Sequence, residues 1–146
     1  LRVPMADVAK MESPLSLQAV LAHPLVDAAA DWSLPLQALH AMAPARVFGA
    51  FAWQVLTGLE YVHARSDIDL LWQLEDRDAA DQLVTCLQAW EGTFARRVDG
   101  ELCLPDGGAV NWREYASDAR QVLVKRVDGA MLAQREDLFQ RVEVSA

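Results

Sequence analysis

The chain has 146 residues, 53% of them hydrophobic and 23% charged, with a formal charge of −8. This is the length of one domain with enough apolar surface for a buried core, which excludes a disordered tail. The acidic balance argues against non-specific nucleic-acid binding, which needs a basic surface. No apolar run approaches the roughly 18 residues of a membrane span.

The imbalance is uneven. Residues 1–93 carry 12 acidic and 5 basic side chains, a net of −7, and residues 94–146 carry 9 and 8, a net of −1. An anionic substrate must therefore be met by metal ions, backbone N–H groups or cations of the second half such as Arg96, Arg97, Arg113, Arg120, Lys125 and Arg126. No secretory pattern opens the chain, so a cytoplasmic protein is expected. Cys86 and Cys103 form no zinc pattern and read as buried reduced thiols.

In chain order, residues 1–12 read as a strand or linker. Ser13-Pro14 reads as a cap followed by proline at the first helical position, and the helix runs over 15–30 with an interruption near Pro24. Ser33-Leu34-Pro35 starts a second helix with Leu36, Leu39, His40 and Ala43 on one face, ended by Pro44. Arg46 to Phe48 is a short strand stopped by Gly49, and Phe51 to Leu59 follows as a helix closed near Gly58. Asp67 to Leu74 is a strand, and Asp76 caps a helix through Trp90. Phe94 to Leu104 and Ala109 to Trp112 form a hairpin about Pro105-Asp106-Gly107-Gly108. Gln121 to Val127 is a strand onto which Ala130 to Leu132 folds back through Asp128-Gly129, and 136–144 is a short helix or loose end. The order predicts an α+β domain with a mixed or antiparallel sheet and helices mainly on one face. Residues 1–44 lead into it and 45–146 form its core.

Chemistry concentrates at Asp67 and Asp69. Strand side chains alternate, so these two carboxylates point one way while Ile68, Leu70 and Trp72 enter the core. Two carboxylates projecting together repel unless water, an arginine or Mg2+ sits between them. Mg2+ takes oxygen ligands and shares them with phosphates. Gly49, at a strand end that opens a helix, presents free N–H groups to an anion. A phosphate clamp beside a two-aspartate metal site is what phosphoryl transfer needs, because that reaction depends on positioning and charge neutralisation.

Strand, Gly49-Ala50, helix, then Ser66-Asp67-Ile68-Asp69-Leu70-Leu71 resembles the nucleotidyltransferase superfamily. Within it, residues 47–58 and 66–72, Asp99-Gly100-Glu101, Ala109-Val110-Asn111-Trp112-Arg113-Glu114 and Val122-Leu123-Val124-Lys125 resemble the malonate decarboxylase holo-acyl-carrier-protein synthases, or phosphoribosyl-dephospho-CoA transferases. The resemblance runs from about Leu1 to Leu132 and implies a further N-terminal region ahead of Leu1. It implies transfer of 2'-(5''-phosphoribosyl)-3'-dephospho-CoA from its triphosphate precursor to a serine of the decarboxylase's acyl-carrier subunit, with release of diphosphate. It also implies Mg2+ or Mn2+ on Asp67 and Asp69, with Gly49 as the phosphate-turn glycine. Ala50 stands where the superfamily usually has serine: the N–H is kept and a hydroxyl is absent.

A third carboxylate is expected on a neighbouring strand, Glu101 first and Glu114 second. Lys125 interrupts an apolar strand and reads as a phosphate contact, while Gln54 and Ser66 are placed to meet the nucleotide or its phosphates. The histidines follow no ligand spacing, and Trp53, Trp72, Trp90 and Trp112 read as core. The same motifs fit two alternatives: a minimal enzyme that adenylylates a protein or small molecule, and an inactive binding module.

Overall fold

A computed structural model describes residues 15–23, 31–59, 62, 66–117 and 119–140. The sites read at Ser13-Pro14, Pro24, His63 and 141–144 lie outside these residues.

Ser16, accepting from the Ala19 N–H, caps helix α1 (Leu17–Leu21). Helix α2 (Ser33–Met42) starts one residue earlier than its serine cap would require, because Trp32 is the cap and Ser33 Oγ instead accepts from Gln37. Strand β1 (Arg46–Phe48) runs directly into helix α3 (Gly49–Thr57), which Gly58 closes in a left-handed conformation, φ 72°. Strand β2 (Ile68–Gln73) is followed by helix α4 (Arg77–Phe94), capped by Asp76 on the Ala79 N–H at 2.8 Å. Strands β3 (Val98–Cys103) and β4 (Ala109–Asn111) form the expected hairpin. Phe94 ends α4 and does not start β3. Asn111 accepts from the N–H groups of Arg113 and Glu114, which turns the chain into helix α5 (Trp112–Ala116) where a longer strand was expected. Strands β5 (Gln121–Arg126) and β6 (Gly129–Gln134) pair across the Asp128-Gly129 turn, and a 3-10 turn (Arg135–Asp137) follows.

The strands lie in the order β1-β2-β3-β4-β5-β6. Only the β2–β3 pair is parallel; α4 supplies the crossover, and all other pairs are antiparallel. Val47, Ile68, Leu70, Trp72, Val98, Leu102, Val110, Val122 and Val124 point to one side and are buried under the helices. This is the expected α+β architecture. Trp32 meets Phe51 edge-on at 4.8 Å, and Trp90 Nε1 donates to the Pro35 carbonyl at 2.8 Å, which locks α2, α3 and α4 together. Trp53 departs from the expectation of a core residue: it is 53% exposed, since α3 buries Phe51, Ala52 and Gln54 instead. Cys86 is exposed and Cys103 half-buried, and neither is in a disulfide, so neither is the deeply buried cysteine expected.

The start of β3 extends past the end of β4, which leaves Val98 to be satisfied by side chains. Glu91 on α4 accepts the Val98 N–H at 2.9 Å, and the Val98 carbonyl accepts from Trp112 Nε1 at 2.9 Å and Arg113 Nη2 at 3.1 Å. Arg113 also forks onto both Glu91 carboxylate oxygens. Burial would raise the Glu91 carboxyl, but the Arg113 hydrogen bonds and the Val98 N–H outweigh it and hold the carboxyl below its usual range. Glu91→Ala leaves the Val98 N–H without its acceptor and the guanidinium without its carboxylate, and should cost about 2–3 kcal/mol in urea unfolding. A lowered folded value means that this contribution is complete above the unfolded carboxyl range and lost as pH falls through the folded value. Wild type and variant should therefore converge in stability in acid.

Candidate active site

Gly49 sits where β1 ends and α3 begins, with φ +67°. A Cβ at this position would lie 2.2 Å from Asp69 Oδ2. Left-handed backbone and close approach of the carboxylate thus both require glycine. Phe48, the residue that precedes the helix, offers no side-chain cap, so the first-turn amides of α3 remain for an anion beside Asp69. Ala50 is half-buried and packs against the core.

The register of β2 with its neighbours assembles the charges. Phe48 lies opposite Asp69 in the antiparallel pair, and Asp99 lies opposite Asp69 in the parallel one. One residue earlier Ile68 pairs with Val98, which sets Asp67-Ile68-Asp69 alongside Arg97-Val98-Asp99. Ile68 and Val98 go into the core and the charged residues remain on the uncovered face. Asp67 itself stands just before the first residue of β2. Gly100, with φ +157°, continues β3 beneath Trp72; a Cβ there would come within 2.1 Å of the Leu70 carbonyl oxygen.

Burial first, then Asp99 and Asp67, raise the Asp69 carboxyl above its ordinary value. Among the described residues Asp69 has no ion-pair partner. The cation in the cluster is Arg97, whose Nε lies 3.1 Å from Asp99 Oδ1 and 3.9 Å from Asp67 Oδ2. Its carbonyl accepts the Ile68 N–H at 3.2 Å, which pins its backbone between the aspartates. Arg113 is raised by the Glu91 hydrogen bond, against burial, and further by Glu91, Asp99 and Asp67, so its charge also reaches the cluster. As they stand, no three His, Cys, Asp or Glu side chains among the described residues are grouped to hold a metal ion.

The remaining candidates fall elsewhere. Glu101 shares the open face but lies opposite Leu71, two residues beyond Asp99, and is ion-paired to Lys125 Nζ at 2.5 Å. The carboxylate facing Asp69 from the next strand is therefore Asp99, not Glu101 or Glu114. Glu114 Oε1 accepts the Leu123 N–H at 2.7 Å and ties α5 to β5. Gln54 is turned inward, and its Oε1 accepts the Val62 N–H at 2.8 Å, so it braces the chain after α3 and does not face the open side. Ser66 is half-buried directly before Asp67. Arg97 and Asp99 escaped sequence reasoning as a pair. Their signal is the spacing of Arg97-x-Asp99, which copies that of Asp67-x-Asp69.

Gly49→Ala should destabilise the fold by about 1–3 kcal/mol from the left-handed backbone alone. It should also displace the Asp69 carboxylate, which a crystal structure of the variant would record.

Among the described residues no helix is long and apolar enough to cross a membrane. Residues 15–136 match the family described as "Phosphoribosyl-dephospho-CoA transferase MdcG C-terminal domain". The chain is 54% identical over 140 residues to a phosphoribosyl-dephospho-CoA transferase of Xanthomonas campestris pv. campestris, covering 92% of this chain and 64% of the relative. It is 50% identical over 141 residues to that of Xanthomonas axonopodis pv. citri, covering 95% and 66%. It is 39% identical over 144 residues to that of Bradyrhizobium diazoefficiens, covering 95% and 62%. The chain thus spans a little under two-thirds of the length of these relatives. No solved structure matches it. Over most of its length, then, this chain belongs to the family of the phosphoribosyl-dephospho-CoA transferase C-terminal domain.

Proposed function

We propose that this chain is the transfer domain of a metal-dependent holo-acyl-carrier-protein synthase. It moves 2'-(5''-phosphoribosyl)-3'-dephospho-CoA from its triphosphate precursor to a serine of the malonate decarboxylase acyl-carrier subunit. The observation that carries this reading is the convergence of Asp67, Asp69 and Asp99 beside the uncapped first turn of α3. Family membership supports the substrate, since the relatives bear the name phosphoribosyl-dephospho-CoA transferase.

The donor set fits a hard divalent cation. Asp67 and Asp69 offer only oxygen, and the Asp69 carboxyl is raised by burial and by its acidic neighbours Asp99 and Asp67, as expected where carboxylates lie near one another. Asp67 and Asp69 would hold Mg2+ or Mn2+, which when bound neutralises phosphate charge and favours the deprotonated nucleophile. The protein's own groups do the rest. The Gly49 turn and the α3 amides bind the two phosphates that leave. The carrier serine oxygen attacks the α-phosphorus, a new P–O bond forms, and the bond to the bridging oxygen breaks with its electron pair going to diphosphate. Asp99, on the adjacent strand, takes the hydroxyl proton.

Intact mass of the apo carrier subunit, after incubation with this protein, Mg2+ and triphosphoribosyl-dephospho-CoA, tests the reading. A phosphoribosyl-dephospho-CoA adduct is expected; a bare nucleotide monophosphate adduct would mean adenylyl transfer instead. Asp69→Asn should cut the rate on the order of 10³-fold. The same variant removes the carboxylate whose ionisation burial and its neighbours oppose, so the metal-free protein should melt at a higher temperature than wild type. Transfer that survives Asp69→Asn would remove Asp69 from the site.

A further inference from the structure

Arg97 occupies the place where the proposed reaction needs a cation, and it holds that place loosely. Its guanidinium makes one contact at 3.1 Å with Asp99 and a longer one at 3.9 Å with Asp67, and its side chain is 57% exposed. The other arginines and lysine near the open end of β3 are committed more firmly. Arg113 forks onto Glu91, and Lys125 is paired with Glu101. Arg97 differs in another way: its backbone is fixed by the Ile68 N–H while its side chain is not buried, so the guanidinium can change partner without disturbing β3.

We propose that Arg97 is a two-position cation: it neutralises Asp67 and Asp99 in the metal-free protein, competes there with the divalent ion, and transfers its guanidinium to the polyphosphate of the substrate when the ion is in place. This rests on the metal-dependent reading above. The charge count favours the exchange. Three carboxylates with one guanidinium leave a net negative charge, which attracts a divalent cation to Asp67 and Asp69. Once the cation has taken over the aspartates, Arg97 is released beside a polyphosphate that brings several negative charges. A planar fork suits phosphate oxygens at least as well as the single carboxylate contact it gives up. Release of Asp99 from Arg97 also frees that carboxylate to take the proton of the incoming hydroxyl. Arg97 thus couples filling of the cation site to capture of the substrate's phosphates.

The test uses Arg97→Gln with Arg97→Lys beside it, and two probes, Mn2+ followed by electron paramagnetic resonance and inorganic diphosphate followed by calorimetry at saturating Mn2+. The expected result for Arg97→Gln is Mn2+ binding about three- to tenfold tighter than wild type, because the competitor is gone. Diphosphate should bind about tenfold weaker, because a charged phosphate contact is lost. Arg97→Lys keeps the charge and should leave Mn2+ affinity near wild type while recovering part of the diphosphate affinity. Mn2+ affinity unchanged or weakened in Arg97→Gln, or diphosphate affinity unchanged, would overturn the proposal. Failure of the underlying metal reading shows separately: wild type and Asp69→Asn would then bind Mn2+ equally or not at all, which overturns both.

Discussion

Like charges brought together by strand register are the constraint on which this structure turns. Parallel pairing of β2 with β3 sets Asp69 against Asp99, and antiparallel pairing of β1 with β2 brings the Gly49 turn against the same carboxylate. Alternation leaves no freedom in this. Ile68, Leu70, Val98 and Leu102 are buried, so a slip of one residue in either strand would bury the aspartates and expose the apolar side chains. The hydrophobic core thus enforces an electrostatically unfavourable arrangement, which a cation relieves. Arg97 relieves part of it at Asp67 and Asp99.

The sheet alone does not fix the end of β3 where Asp99 lies, because β4 stops short of it. Glu91, Trp112 and Arg113 replace the missing strand by taking the Val98 N–H and carbonyl. Glu114 does the same for the Leu123 N–H of β5. Side chains from α4 and α5 therefore complete the backbone hydrogen bonding at the edge of the site. A loop moving there would blur the distance between Asp69 and Asp99. The Arg113 fork, half-hidden against Trp112 with its Cζ 4.6 Å from the ring, is the firmest ion pair near the cluster.

Much of this was legible in the sequence where the signal is local. The β1–Gly49–α3 turn, the Asp76 cap, the Asp128-Gly129 reversal and the two faces of β2 each follow from a few adjacent residues. What was not legible depends on partners distant in the chain. The choice between Asp99 and Glu101 needs the parallel register, and Arg97 becomes part of the site only through the same register. Gln54 looked available one turn into α3, but its amide oxygen accepts from the N–H of Val62, eight residues on, a contact that no pattern announces. Trp53 looked like core because apolar content does not say which face of a short helix the sheet will cover. Trp112 read as strand because the role of Asn111 as a helix cap is visible only once Arg113 and Glu114 turn back toward it.

In the proposed reaction Asp67 and Asp69 hold the divalent ion. Anomalous diffraction from crystals soaked in Mn2+ and diphosphate tests it most directly. The proposed reaction calls for an anomalous peak between the carboxylates of Asp67 and Asp69, with diphosphate against the Gly49 turn. A peak elsewhere, or aspartates left without metal while diphosphate is bound, would contradict it.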